Sequence, residues 1–387
     1  MKWHKSYIGD VCLVGDGAHA KIQRQAEGIL YLTCKNFKQG QLDLSKVDYI
    51  SEEDYEKYFK KESKALTKPQ VNDILFSIIG TLGERYIYKE QDYFGISSSV
   101  SILRPFLNKV YPLFLFYWIK SNTFQKALYG IKGGVAQGYV SLDMIRALPI
   151  HYPDDIAIQH KIADILSKYD DLIENNRRRI ELLEESARLL YREWFVYLRF
   201  PGHEHTPIID GIPEGWEKKQ VKDILGKIYR PKKIQKSEYL QFGKIPCVDQ
   251  SKEFIGGYTN DIDAVINDNL PIIVFGDHTR ILKYINFPFA CGADGTQLIV
   301  SNTKQLSQEY FYFALEAIDL SNYFYARHFK FLKDQYILIP SHSLVRQFTD
   351  STKKIMEQTK ILKNINIGLA KARDILIPRL MNGKIEV

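Results

Sequence analysis

The chain carries one design twice, and each copy closes on a long helical heptad stripe. The first copy opens Trp3-His4-Lys5-Ser6-Tyr7-Ile8-Gly9-Asp10-Val11, and the second opens Trp216-Glu217-Lys218-Lys219-Gln220-Val221-Lys222-Asp223-Ile224, alike at five of nine positions by identity or Ile/Val exchange. Later pairs keep the order: Asp73–Phe76 with Ile272–Phe275, Gly95–Leu103 with Gly292–Val300, Phe114–Tyr117 with Tyr310–Phe313, Tyr129 with Tyr325, Ser141-Leu142 with Phe331-Leu332, and Gln159 with Gln347. The offset between partners falls steadily, from 213 through 197, 196 and 190 to 188. A chance match would wander in both directions; duplication followed by loop trimming gives a monotonic series. Such a chain is expected to build two similar modules in pseudo-two-fold arrangement that touch two similar targets.

The spacers are the most regular stretches. From Asp154 the apolar stripe Ile162, Leu166, Tyr169, Ile173, Asn176, Ile180, Leu183, Ala187, Leu190, Trp194 alternates steps of four and three, and neither Gly nor Pro occurs between 154 and 200. That is coiled-coil spacing over more than four heptads. Pro153 and Asp154-Asp155 form a sound helix start. A helix of about 42 residues would run roughly 63 Å at about 1.5 Å per residue. In the second copy Phe348, Ile355, Leu362, Leu369 and Leu376 fall seven apart, with Ile365 and Ala372 on the adjoining line and Pro378 expected to stop or kink the helix. Asn176 is a polar seam residue of the kind that fixes register. The first helix is net acidic and the second net basic, so they are natural antiparallel partners within one chain.

At 387 residues, about two to three domains with proper cores are expected. Cys12, Cys34, Cys247 and Cys291 lie far apart with no CxxC, which fits a reducing cytoplasm. The apolar run 110–119 is too short to span a membrane, which takes about 20 residues. A soluble cytoplasmic protein without membrane partners is expected. The net charge of +7 divides as +5 over 1–153, −2 over 154–199, −1 over 200–342 and +5 over 343–387. Lys218–Lys236 holds eight bases against one acid, a patch suited to a polyanion. The rest reads as mixed α/β. Short β-prone runs (29–33, 74–79, 85–88 and 100–103; 245–248, 270–275, 282–285 and 297–300) are punctuated by Gly, Asn and Asp, and one helical segment follows in each copy, 111–128 and 307–324.

The whole chain resembles the specificity subunits of type I restriction–modification systems. Asn72-Asp73-Ile74-Leu75, the stretch from Leu148-Pro149-Ile150 through Pro153 to Gln159-His160-Lys161-Ile162-Ala163-Asp164-Ile165-Leu166, Pro213-Glu214-Gly215-Trp216, and Arg373-Asp374-Ile375-Leu376-Ile377-Pro378-Arg379-Leu380-Met381-Asn382-Gly383-Lys384-Ile385 carry the likeness through their order. The resemblance implies an α+β fold: target-recognition domains at 1–153 and 200–342, held apart by an antiparallel two-helix coiled coil of 154–199 and 343–387. Each domain would read one half of a split double-stranded DNA target. The coil, through Leu166, Ile173, Asn176, Ile180, Leu183, Leu190, Phe348, Ile355, Leu362, Leu369 and Leu376, would pair the helices and dock two methyltransferase subunits, and through them restriction subunits. S-adenosylmethionine, ATP and Mg are expected on those partners and none on this subunit. A spacer of about 60 Å matches some 18 base pairs at about 3.4 Å each, so the coil would act as a ruler.

Candidate DNA contacts sit on the paired polar loops. In the first copy they are Lys132, Gln137 and Tyr139, with Gly133-Gly134 permitting close approach, together with His19 (beside Asp16 and Lys21) and Lys35 (beside Asn36). In the second they are Arg327, His328 and Lys330, the turn residues His278 and Arg280, and the phosphate-positioning Lys232 and Lys233, with Lys236 close by. A phosphate loop GxxxxGK[ST], an Asn-Pro-Pro-aromatic tetrad and a glycine-rich methyl-donor loop are absent. His203-Glu204-His205 reads as an incidental linker, and no metal site is expected. A non-catalytic DNA-recognition subunit is the favoured reading. A protein-binding coiled-coil scaffold and a stand-alone DNA-modifying enzyme are the alternatives.

Overall fold

The structure, a computed structural model, describes all residues except 1, 39, 62–64, 133–139, 294 and 324–326, and leaves the Lys132 side chain undescribed. It divides into two compact units, Met1–Asn176 with Asn364–Val387, and Arg177–Lys363, so both long helices contribute to both units.

In the first unit, Trp3–Tyr7 pairs antiparallel with Pro149–Pro153. An antiparallel sheet runs in the order Cys12–Asp16, Val100–Pro105, Ile74–Ser77, Arg85–Ile87. A second sheet sets Ile29–Leu32 between antiparallel Asp48–Ile50 and parallel Phe94–Ile96. Strand Ile74–Ser77 is buried on both faces because its side chains alternate between two cores. Ile74 and Phe76 join Leu103, Phe114 and Trp118 beneath the helix Pro112–Lys120, while Leu75 joins Ile102, Tyr31 and Phe94.

The second unit repeats this scheme. Glu217–Gln220 pairs with Tyr336–Ile339, Ile272–Gly276 lies between Leu282–Ile285 and Thr296–Ile299, and Ile245–Val248 pairs in parallel with Phe289–Cys291. Ile273, Phe275 and Ile299 pack with Tyr310 and Phe313 of the helix Gln308–Glu316, and Ile272, Val274 and Leu298 line the opposite core.

The two cores correct the repeat in detail. Matching side-chain faces pairs Phe76 with Phe275, as the sequence suggests, but Leu103 with Ile299 rather than Val300. A one-residue slip would turn the whole strand inside out. Leu148 O accepts from Ile8 N as Gln335 O accepts from Val221 N, which matches Ile145 to Leu332 and displaces the Leu142–Leu332 pairing. The Gln159–Gln347 pairing also fails. Gln159 is buried, accepting from Tyr111 N and donating to Lys109 O and Pro153 O, whereas Gln347 is exposed. The expected helix over 111–128 breaks at Ser121, which is extended, before Asn122–Lys132 resumes. Its counterpart ends at Glu316, where Asp319 accepts from Ser321 N and draws the chain into a turn.

The first long helix spans Ile156–Tyr191 and continues as a π-turn, Arg192–Val196. Asp155 caps its start, accepting from Ala157 N. The second, His342–Met381, runs through Pro378 and ends at Gly383 (φ +65°), so the proline neither stops it nor sets its end. Within each unit the helices run antiparallel: Asp170 meets Arg373 and Asn176 meets Asn366 in one, and Glu184 meets Lys363 while Tyr191 meets Phe348 in the other. Of the expected seam residues, Leu166, Ile173, Asn176, Ile180, Phe348 and Leu362 are buried, and Leu183, Leu190, Ile355, Leu369 and Leu376 are half-buried. Ile365 is exposed. Asn366 faces inward instead, accepting from Asn176 Nδ2 at 2.8 Å and donating to Ile173 O.

Candidate nucleic-acid interface

In each unit the loops that carry the candidate residues converge through backbone bonds at the ends of the strands. In the first unit, Ala18 N donates to Ile96 O (3.0 Å), Ser97 N to Leu32 O (2.9 Å), and Ile78 N to Ser99 O (3.0 Å). Cys34 N donates to Ser99 Oγ (3.0 Å), and Val140 N, just past the undescribed 133–139, donates to Ile78 O (3.3 Å). These bonds gather residues 16–19, 33–36, 78–80 and 97–99. Gly17 is required there, since a Cβ would lie 2.2 Å from Ile96 O. His19 is exposed and its Nε2 lies 2.7 Å from Oδ2 of the buried Asp16, which fixes the ring's direction; Lys35 is exposed on the neighbouring turn. Gln137 and Tyr139, and the Lys132 side chain, lie outside the described residues.

The second unit brings equivalent loops together with different residues. Asp277 is the staple. Its backbone N donates to Gly295 O (2.7 Å), its O accepts from His328 N (2.9 Å), and its carboxylate accepts from Phe329 N (2.8 Å), a negative charge at the start of the helix His328–Asp334. The 276–280 turn is tied to Gln250, whose Oε1 accepts from His278 N (3.1 Å) and whose O accepts from Thr279 Oγ1 (2.7 Å). Ile234 N donates to Cys291 O and Ala293 N to Ile234 O, which lays the Lys232-Lys233 segment beside Cys291–Ala293, just before the Gly295 that Asp277 N bonds. His278, Arg280, Lys232, Lys233, Arg327 and Lys330 are exposed.

Arg280, Lys232 and the buried candidate His328 are not equivalent to the rest. Arg280 sits at φ +62° and donates through Nη1 to Leu320 O (2.8 Å), so its guanidinium is anchored with other donors left outward. Lys232 is paired with Asp261 at 2.8 Å, an exposed bridge that a phosphate can replace at little cost. His328 is 6% exposed and its Nδ1 has no hydrogen-bond partner among the described residues. Burial, then the Arg280 guanidinium, holds its pKa below the ordinary histidine value, which favours a neutral ring behind the surface. Gln250, Arg230 and Gln297 were not anticipated; Arg230 lies 3.4 Å from Gln297 Oε1 at the same end of the unit. Gln250 stands where Cys34 stands in the first copy, an equivalence set by the bonds Ser97 N to Leu32 O and Gly292 N to Val248 O rather than by the sequence offsets. Among the described residues no group of His, Cys, Asp and Glu forms a metal cluster, and no helix is long and apolar enough to cross a membrane.

Two modules of one fold, each presenting polar loops at its strand ends and each bound to a long-helix pair, define a two-part recognition protein. The type I restriction modification DNA specificity domain matches residues 1–185 and again 213–369, and the chain belongs to that family. It is similar to the MjaIX specificity subunit of a type I restriction enzyme from Methanocaldococcus jannaschii, 28% identical over 302 residues, which cover 71% of this chain and 69% of that protein. The putative MjaX specificity subunit of the same organism is 25% identical over 415 residues, covering 100% and 94%. The fold matches the crystal structure of a type I restriction–modification S subunit from M. genitalium with a TM-score of 0.55 at 16% identity, covering 98% of this chain and 96% of that one.

Proposed function

We propose that this chain is the DNA-specificity subunit of a type I restriction–modification complex and that each unit reads one half of a bipartite, gapped target. The carrying observation is that the same set of loops converges in both units but presents different side chains: His19 and Lys35 in one, and Lys232, Lys233, His278, Arg280, Arg327 and Lys330 in the other. Equivalent geometry with unlike side chains suits two half-sites of unlike sequence, because base-edge contacts set what is read while phosphate contacts set register. The paired long helices hold the gap and offer the surface on which two methyltransferase subunits dock, with restriction subunits joining through them. Methylation and cleavage, with S-adenosylmethionine, ATP and Mg, belong to those partners in the cytoplasm, and the specificity subunit supplies recognition alone.

Co-expression with the partner methyltransferase, followed by mapping of methylated adenines genome-wide, tests this reading. A two-part motif with a fixed unspecified gap is expected, and exchanging residues 1–153 for another family member's first module should change only one half. A contiguous motif would overturn the proposal.

A further inference from the structure

The second unit holds a cavity of about 360 Å³, partly open to solvent, between the strand Leu282–Ile285, the helix Gln308–Glu316 and the two long helices. In the first unit the same place is filled by an ionic network. There the buried Arg85 donates to Phe116 O (2.9 Å), Tyr117 Oη donates to Asp170 (2.6 Å), Asp170 pairs with Arg373, and Lys120 pairs with Asp374 (2.6 Å). Strand register, helix start and buried helix faces give the equivalents. Arg85 and Leu282 each pair with the matched phenylalanines Phe76 and Phe275, and Tyr111 and Ser307 each cap the module helix. Ile377 and Met381 occupy the positions of Tyr191 and Phe195, and Leu166 that of Thr352. On this mapping Arg85, Tyr117, Asp170 and Arg373 become Leu282, Phe313, Met356 and Ala187, and all four of those line the cavity. The space exists because the two arginines and the carboxylate that close it in one copy are missing from the other.

What remains around it is unbalanced. Of the five lining cations, Arg188 bridges Glu184 and Glu316, Lys363 bridges Glu184 and Lys283 lies 3.8 Å from Asp249, which leaves Lys252 and Lys360 without a carboxylate partner among the described residues. Lys363 lies 4.2 Å from the centre of the Phe254 ring, and Tyr284, Tyr312 and Phe313 add aromatic wall. Thr359, 7% exposed on the lining, carries a hydroxyl without a hydrogen-bond partner among the described residues. A pocket of this size with apolar walls and a few convergent polar groups is built like a small-molecule site.

We propose that this cavity binds an aromatic anion of mononucleotide size, its ring against the Phe254–Tyr312 side and its negative group toward Lys252 and Lys360. The inference does not rest on the DNA-reading proposal, because binding is read on the full chain without DNA or partner subunits. Adenosine monophosphate is the probe, followed by titration calorimetry up to about 5 mM, the weak end of small-ligand affinity. Saturable binding at one site per chain is expected. The double variant A187R/M356D, which rebuilds the first unit's closing pair, should weaken it at least about tenfold by filling the space, and the exposed charge reversal Lys252→Glu should weaken it by about three- to tenfold even if the double variant does not fold. Absence of saturable binding, or unchanged affinity in either variant, overturns the site. Inorganic phosphate binding as tightly as the nucleotide overturns the aromatic part of the assignment.

Discussion

The closing pair of the first unit makes a sharp energetic test. Asp170 accepts from Tyr117 Oη at 2.6 Å and pairs with Arg373, whose guanidinium also holds Asp374 at 2.9 Å; the Arg373 and Asp170 side chains are 13% and 30% exposed. Replacing Asp170 by Met, the residue at its counterpart Met356, leaves the Arg373 guanidinium beside the buried Arg85 with the half-exposed Asp374 as its remaining carboxylate. Removing one partner of a fully buried pair costs about 3–5 kcal/mol, and the partial exposure here lowers that to about 2–3 kcal/mol. Arg373→Ala alone should cost a similar amount, since it leaves the carboxylate with one donor. The double change removes both charges at once. It retains mainly the penalty of an orphaned Tyr117 hydroxyl, about 1 kcal/mol, and of unfilled volume, so a total near 2 kcal/mol is expected instead of the additive 4–6 kcal/mol. Hydrogen exchange of the helix Pro112–Lys120, followed by mass spectrometry, reads the opening free energy of this unit separately from the other. A double variant whose cost equals the sum of the singles within about 0.5 kcal/mol would refute the idea that the two charges hold each other in place.

Four further outcomes are expected. Lys233→Ala and Lys330→Ala should each reduce the log–log salt dependence of duplex binding by about 0.9, measured by fluorescence anisotropy; an unchanged slope would place that lysine away from phosphate. Inserting seven residues in register into each long helix should lengthen the unspecified gap of the methylated motif by about three base pairs, since about 10.5 Å of helix spans that much duplex. Phe348→Ala should destabilise the second unit by about 3–5 kcal/mol in urea unfolding, because its fully buried ring packs against Tyr191, Phe195, Tyr310 and Phe313. Burial holds Lys283 at about 8 although it donates to Asp249 O. The folded chain therefore sheds that proton near pH 8 while the unfolded chain keeps it to the ordinary lysine range of about 10.4. Stability of the second unit should rise as pH climbs through this window, by at most about 3 kcal/mol from this group, and Lys283→Met should abolish the rise relative to the parent.

Much of this molecule is local chemistry and could be read directly. Heptad spacing from Ile162 to Leu190 and from Phe348 to Leu376 demands long helices because an apolar stripe of that period has no other way to be buried. The two tryptophan-led openings demand two modules because repeated sequence makes repeated contacts. Strand centres such as Ile74–Phe76 and Ile272–Phe275 were visible for the same reason. What the chain by itself left open was register and closure. Leu103 matches Ile299 rather than Val300 because burial on opposite faces of a strand is decided by neighbours far along the chain, and Asn366 displaces Ile365 from the seam because Asn176 across from it needs a partner. The convergence of Asp16, Cys34 and Ser99 in one unit, and of Gln250, Asp277 and His328 in the other, is made by long-range backbone bonds that no spacing announces. The cavity likewise depends on four replacements scattered over the whole second unit, which become one feature only after folding brings their side chains to the same few ångströms.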